Sequence, residues 1–388
     1  VRRLLAIALS LACLQTPGQS VRPAKELSAE LDAIFAPFAE RGAPGFAALV
    51  RLGGKTIFEG GYGVRDQRTL TPIDRHTNFR LASFSKQFTA MAVMLLVHDG
   101  QLHYDDRLSA LLPGLPGYAR NITVRQLLNH TSGVPDYEQL MEEAKKNGGP
   151  TWTATRQISD TEVLTLLQQH PQADFQAGGR WSYSNSGYVL LGLIVAKVSG
   201  EPFGEFLQRR IFQPLHMNNT LAFEADRNTV AHRAYGHVKQ DGEYVEADQS
   251  STSATLGDGG IYSNLDDLSR WDSALRHHTL LSEAEMRPAV TPAVLNDGTQ
   301  TRWPTTPGED NLNPGHKVAY GFGWFLDPYQ GRPRMSHTGT TRGFRTVIQR
   351  FTTDDVTVIV LANRTDLDPA ALSLRAADLC LEAISSSR

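Results

Sequence analysis

Apolar residues recur at helical spacing from Lys25 to Arg41 (Leu27, Leu31, Ile34, Phe35, Phe38), and Gly42 ends that pattern as a helix stop does. Two strand-like runs follow, GFAALVRLGG and KTIFEGGYGV, joined around Gly53 and Gly54 as in a hairpin. The far end of the chain returns to strand patterns: YGFGWFLD, RMSHTG, FRTVIQRFTTDD and VTVIVLANR, with Thr353, Asp354 and Asp355 as a turn. Asp368 to Ile384 then reads as a closing helix, N-capped by Asp368 with Pro369 at its first position. The middle is helical instead. FTAMAVMLLVHDG, TVRQLLNHTSG, DTEVLTLLQQH, YVLLGLIVAKVSG and PFGEFLQRRIF carry helix patterns, several of them ended by Gly.

Strands at both chain ends predict one antiparallel sheet built from both termini, with helices flanking it and an all-helical lobe inserted. The fold class is α/β (α+β). Residues 21–388 form a single domain on this reading, with an α/β lobe over about 21–80 and 255–388 and a helical lobe over about 81–254. A cleft between such lobes is a common ligand site. Val294 to Lys317, rich in Pro, Gly, Asn and Thr, reads as a long surface loop.

The first twenty residues follow neither pattern. Two arginines precede an apolar stretch from Leu4 to Leu14, and Pro17, Gly18 and Ser20 come after it. The stretch is too short to span a bilayer and fits a secretory signal cleaved after Ser20, which places the mature chain in the periplasm or outside the cell. A frayed helix is the plainer explanation. Cys13 raises lipid anchoring, but Ser10, Leu11 and Ala12 match a lipidation box poorly. The other cysteine is Cys380, so the mature chain has no disulfide to form and relies on its core. With 388 residues, 40% hydrophobic and 20% charged, it has the material for one. A net charge of −3 offers no field for nucleic acid or an anionic membrane. Nothing in the sequence fixes an oligomeric state.

Candidate chemistry begins at RLASFSKQFTA. Ser83 and Lys86 are three apart, so on a helix both face one way, roughly 5–6 Å apart at Cβ. A serine becomes a competent nucleophile beside a base. Lysine serves as that base if burial favours its neutral form, and Phe84, Phe88, Met91 and Val93 supply apolar surroundings. The helix N-terminus favours negative charge at the serine. The plainer reading makes Ser83 a helix cap and Lys86 a solvated first-turn residue. RLASFSKQFTA resembles the acylation motif of the serine β-lactamase and penicillin-binding-protein superfamily, most of all its class C β-lactamase and DD-peptidase branch.

That resemblance implies two further elements, a Tyr-x-Asn in the helical lobe and a Lys/His-Thr/Ser-Gly strand along the cleft. Tyr-x-Asn occurs twice. In GGIYSNLDDLSRW, Ser263 with Asp266 reads as a helix start, which leaves Tyr183 and Asn185, in GGRWSYSNSGYVLLG, as the matching pair. The third element is SHTGTTRGF with His337, Thr338 and Gly339, whereas NHTSG at Asn129–Gly133 reads as a turn. LLNHTSGVPDY, YGFGWF and TVIVLANR also resemble family segments, and the likeness runs from about Leu27 to Ile384. No G-x-S-x-G, H-E-x-x-H or paired cysteine cluster points to another hydrolase class or to a metal.

The resemblance implies a small-molecule or peptide substrate, acylation of Ser83, and no metal or organic cofactor. Lys86 assists deprotonation; Tyr183 relays the proton, and either residue is the main base. Asn185 holds the substrate's amide side chain, His337 and Thr338 line the leaving-group side, and Gly339 lets substrate approach the backbone. The N–H groups of Ser83 and Thr340 form the oxyanion hole. Many relatives carry lysine where His337 stands, and a histidine there is less reliably charged, so recognition of a substrate carboxylate is expected to be weaker or pH-dependent. The histidine favours a DD-carboxypeptidase, D-aminopeptidase or esterase over a β-lactamase. A non-catalytic penicillin- or wall-binding relative is the remaining alternative, against which the three intact motifs argue.

Overall fold

The structure is a computed structural model that describes residues 24–305 and 313–385. The signal-like segment and Cys13 lie outside the described residues. The central element is a five-stranded antiparallel sheet. Strands β1 (Phe46–Leu52), β2 (Lys55–Tyr62), β3 (Met335–Thr341), β4 (Phe344–Phe351) and β5 (Val356–Ala362) stand in the order β3-β4-β5-β1-β2. Both chain ends therefore build one sheet, joined where β1 pairs with β5, Phe46 opposite Ala362 and Leu52 opposite Val356.

β5 and six of the seven residues of β1 are buried, because the sheet is covered on both faces. Period-2 alternation sorts their side chains into two cores. Phe46, Ala48, Val50, Val358 and Val360 pack with Leu27, Leu31 and Phe35 of helix α1 (Ala24–Phe35), and with residues of the closing helix Pro369–Ser385 such as Leu372 and Ala376. Ala47, Leu49, Ile359 and Leu361 face the opposite way, into the larger core shared with the helical centre. Asp368 caps the closing helix as expected, its Oδ1 accepting from the N–H of Ala371 at 3.0 Å.

Two long helices form the middle of that larger core, α2 (Lys86–His98) and α3 (Asn185–Ser199). α2 is buried from Lys86 to Leu96, which explains why its sequence is apolar all round rather than striped. Among the described residues, no helix is long and apolar enough to cross a membrane. Short strands interrupt the helical centre at Leu221–Ala222, His237–Gln240, Glu243–Glu246 and Ile261–Ser263. Helix α4 (Leu265–Arg276) follows the last of these.

Several expected boundaries shift for physical reasons. α1 stops at Phe35 and gives way to a 3₁₀ turn holding Pro37, which lacks the N–H to continue an α-helix. The cap of α4 is Asn264, whose side chain accepts from the Asp267 N–H; Ser263 belongs to the preceding strand and bonds Thr220 instead. YGFGWFLD is not a strand. It doubles back through Tyr320 and Phe325, which bridge each other, and Phe325 then bridges Ser336 of β3. The reversal rests on Gly323, at φ +75°, where a Cβ would lie 2.9 Å from the carbonyl oxygen of Lys86. The segment is therefore a clasp on the N-terminus of α2.

Asn363, fully buried at the end of β5, ties the sheet to its surroundings. Its Oδ1 accepts from the Gly45 N–H at 2.7 Å, and its Nδ2 donates to the carbonyls of Tyr235 at 2.9 Å and Val64 at 3.2 Å. Asn363→Leu leaves these backbone groups unpaired at about 1–3 kcal/mol each. A loss of about 3 kcal/mol or more in urea unfolding, at unchanged m-value, is the expected outcome.

Candidate active site

The chain reaches Ser83 through a left-handed residue. Ala82 has φ +51°, a conformation that costs a non-glycine residue about 1–2 kcal/mol and is kept where the surroundings enforce it. Residues 82–85 form a 3₁₀ turn leading directly into α2. Ser83 is not a cap: the helix start has no side-chain cap bond. Its Oγ lies 3.0 Å from Nζ of Lys86. Lys86 is 0% exposed, so the solvated alternative fails.

Nζ of Lys86 also lies 2.8 Å from Oδ1 of Asn185 and 2.9 Å from the carbonyl oxygen of Asp258. It sits 4.9 Å from the ring centre of Tyr183 and 5.5 Å from that of Tyr188. The ammonium form donates to all three oxygens. The neutral amine keeps its donations to Asn185 and Asp258 and turns its lone pair to the Ser83 hydroxyl. One geometry thus serves both protonation states, as a proton acceptor requires.

Asn185 is the first residue of α3, and the Ser184 side chain caps that helix by accepting from the Gly187 N–H. The Asn185 backbone N–H donates to Asp136 at 2.7 Å, and its Nδ2 reaches Glu138 at 3.4 Å. The amide is therefore fixed with its oxygen toward Lys86.

β3 brings the third motif to the same place. It is an edge strand, and the β3–β4 hairpin closes between Thr341 and Phe344. On its outer edge Ser336 exchanges both backbone bonds with Phe325, each 2.9 Å. Period 2 puts the backbone groups of Thr338 and Thr340 on that same edge. A cavity of about 470 Å³ opens there, lined by Ser83, Tyr183, Asn185, His337, Thr338 and Thr340, with Glu138 and Arg345 also in its wall.

Gly339 also has a packing reason to be glycine. A Cβ there would lie 2.0 Å from the carbonyl oxygen of Leu81 and 2.3 Å from Oγ1 of Thr346. The glycine lets β3 close onto the turn that presents Ser83.

His337 is buried and doubly bound. Its Nδ1 lies 2.7 Å from the Thr338 carbonyl oxygen, so Nδ1 carries the proton. Nε2, 3.0 Å from the Tyr320 hydroxyl, then accepts. Burial and the positive charge of Lys86 lower its pKa to about 3, against the opposing bond to the Thr338 carbonyl. His337 is neutral at physiological pH and supplies no cation.

Sequence reasoning missed three contributors. His130 sits in NHTSG, a segment that reads as a turn, yet its ring lies 4.4 Å from that of Tyr183 and is buried among Tyr188, Tyr320 and Trp181. Its Nδ1 accepts from the Ser184 N–H at 3.2 Å, which holds the Tyr183–Asn185 segment. Burial, then Lys86 and His337, push its pKa well below the usual imidazole value. The motif NHTSG was the available signal. The Asp258 carbonyl and Glu138 had none, since both act through tertiary placement.

A family model described as Beta-lactamase matches residues 31–382. The chain belongs to the serine β-lactamase and penicillin-binding-protein superfamily. It is 30% identical over 348 residues to penicillin-binding protein 4* of Bacillus subtilis, covering 86% of this chain and 71% of that protein. It is 26% identical over 324 residues to Protein flp of Staphylococcus aureus, covering 82% of this chain and 59% of that protein's length. The D-amino acid amidase of Ochrobactrum anthropi, in complex with L-phenylalanine amide, superposes with TM-score 0.72 at 25% identity, over 94% of this chain and 99% of that one. The protein is a serine hydrolase of this superfamily.

The two neutral rings couple stability to pH. Unfolded, each takes up a proton below about pH 6.5; folded, each stays neutral to much lower pH. Their contribution is complete above pH 6.5 and is lost as pH falls below it; for His337 the loss runs toward pH 3, at about 1.4 kcal/mol per pH unit. His337→Gln is expected to remove about 1.4 kcal/mol per unit from the slope of unfolding free energy between pH 6 and 4.5, measured by urea titration.

Proposed function

We propose that the protein is an exported hydrolase working through an acyl-enzyme on a D-amino-acid peptide, in the manner of a DD-carboxypeptidase or aminopeptidase, or on a small ester or amide. The observation that carries this reading is the contact chain from Ser83 Oγ through Lys86 Nζ to Asn185 Oδ1, at 3.0 and 2.8 Å, on the wall of an open cleft.

In the proposed sequence, Ser83 Oγ attacks the substrate carbonyl carbon and its proton passes to the neutral amine of Lys86. The N–H groups of Ser83 and Thr340 stabilise the oxyanion, each such donor being worth about 2.7–4 kcal/mol. The tetrahedral intermediate collapses as the bond to the leaving group breaks. Tyr183, exchanging its proton with Lys86, protonates the departing amine or alcohol. Water, deprotonated by the same pair, then releases the acid and restores the Ser83 hydroxyl. Asn185 orients both Lys86 and the substrate amide.

The neutral His337 supports the aminopeptidase, amide or ester reading over an efficient β-lactamase, because a β-lactam, like the substrate of a DD-carboxypeptidase, brings a carboxylate beside the scissile bond. A carboxylate beside the scissile bond finds no positive charge on His337, and the cleft's guanidiniums, Arg342 and Arg345, stand at the turn of the β3–β4 hairpin and beyond it. Glu138 also lines the cleft, accepting from Asn185 Nδ2 at 3.4 Å. The signal-like first twenty residues support export.

Mass spectrometry after incubation with labelled penicillin, a D-Ala-D-Ala peptide and a D-amino acid amide tests the reading. The expected result is a persistent penicilloyl adduct on Ser83, turnover of at least one D-amino-acid substrate, and loss of both in Ser83→Ala. Rapid release of hydrolysed penicillin would favour the β-lactamase reading, and ester hydrolysis unchanged in Ser83→Ala would overturn the catalytic assignment.

A further inference from the structure

A second cavity, of about 570 Å³, lies at the other end of the β3–β4 hairpin and shares no lining residue with the catalytic cleft. Its apolar wall includes Leu275, Met286, Leu326, Met335 and Phe351. Arg350 of β4 also lines it, and its side chain is 9% exposed.

Behind Arg350 is a buried trio with unequal charges. Arg51 and Arg350 share one carboxylate, Asp272, and all three residues are buried. Asp272 Oδ1 accepts from Arg350 Nε at 2.7 Å and from Thr357 Oγ1 at 2.9 Å, while Oδ2 accepts from Arg51 Nη1. Arg51 has further oxygen acceptors in the Ser269 and Gly54 carbonyls and Ser273 Oγ for its Nη groups, while its Nε is buried without one. Arg350 lacks such further acceptors. Its Nη1 faces the thioether of Met335 at 3.8 Å, and no oxygen among the described residues accepts from Nη2. The surplus positive charge of the trio therefore rests on the guanidinium at the cavity wall.

The other charges around the cavity do not cancel it. Arg276 is paired with Asp355, and Arg334 with Asp327. Glu283 and His278 are exposed, where solvent screens them. The free N–H groups of Arg350 border the cavity, where water or an anion completes them, and its planar fork matches a carboxylate.

We propose that this cavity binds a monoanionic amphiphile: a carboxylate seated on Arg350, carried on an apolar chain that lies along Met286, Leu326 and Phe351. One negative charge balances the trio. The apolar wall accounts for the rest of the ligand.

Calorimetric titration of the full chain with sodium octanoate, and with 1-octanol as the uncharged probe, tests this. Saturable 1:1 binding of octanoate is expected, with octanol at least tenfold weaker. Arg350→Gln keeps a hydrogen-bond donor for Asp272 but loses the charge, and should weaken octanoate at least tenfold. Val290→Glu places a like charge on a rim residue that is 42% exposed, leaving the fold unstressed, and should weaken it at least threefold. If Arg350→Gln does not fold, Val290→Glu decides. Octanol binding as tightly as octanoate, octanoate binding unchanged in the variants, or no saturable binding to the native chain would each overturn the proposal.

Discussion

A single buried amine sets the terms for this structure. Lys86 has lost all contact with solvent, so its Nζ needs acceptors supplied by the protein. These come from Ser83, three residues away, from Asn185, 99 away, and from the Asp258 backbone, 172 away. The 3₁₀ turn, the start of α3 and the glycine-rich segment before the strand at 261–263 must therefore meet at one point. The helical centre cannot form without assembling this cluster, and the cluster cannot persist without the centre packed around it. Gly323 and Gly339 close it from outside, because each permits a backbone contact at the Leu81–Lys86 turn that a side chain would block.

How much of this was readable in advance depends on the range of the interaction. The antiparallel sheet from both termini followed from strand patterns at the two ends, and the apolar runs of α2 and α3 read as helices. Ser83 and Lys86 were legible because helical geometry alone places them together. Tyr183, Asn185 and His337 needed the family's motif order, since nothing local joins them to Ser83. The clasp at Tyr320–Asp327 reads as a strand because its apolar and aromatic composition is strand-like; its reversal depends on how closely Gly323 approaches α2. For the same reason the contact of Gly339 with the Leu81 carbonyl has no local signal. His130 and the Asp258 carbonyl act only through tertiary contact.

The electrostatics of the cleft are sharper than composition could convey. A histidine at the third motif invites a pH-dependent cation. Here its two nitrogens are committed, one to a carbonyl and one to a tyrosine hydroxyl, and burial keeps the ring neutral. Lys86 is thus the positive charge nearest the reacting serine when protonated, and the guanidiniums stand farther along the cleft wall. Glu138, Arg342 and Arg345 carry the other charged groups of the cleft wall.

The central claim is that Lys86 accepts the proton of Ser83. Its direct measure is the pre-steady-state rate of Ser83 acylation by an activated ester, followed across pH in the native chain and in Lys86→Gln, which keeps a donor for Asn185 and Asp258 but cannot take up a proton. The account predicts a fall of about 10²–10⁴-fold in the variant, the usual worth of a positioned base, and loss of the acid limb of the pH profile. Acylation of Lys86→Gln at the native rate, with the same pH profile, would contradict it.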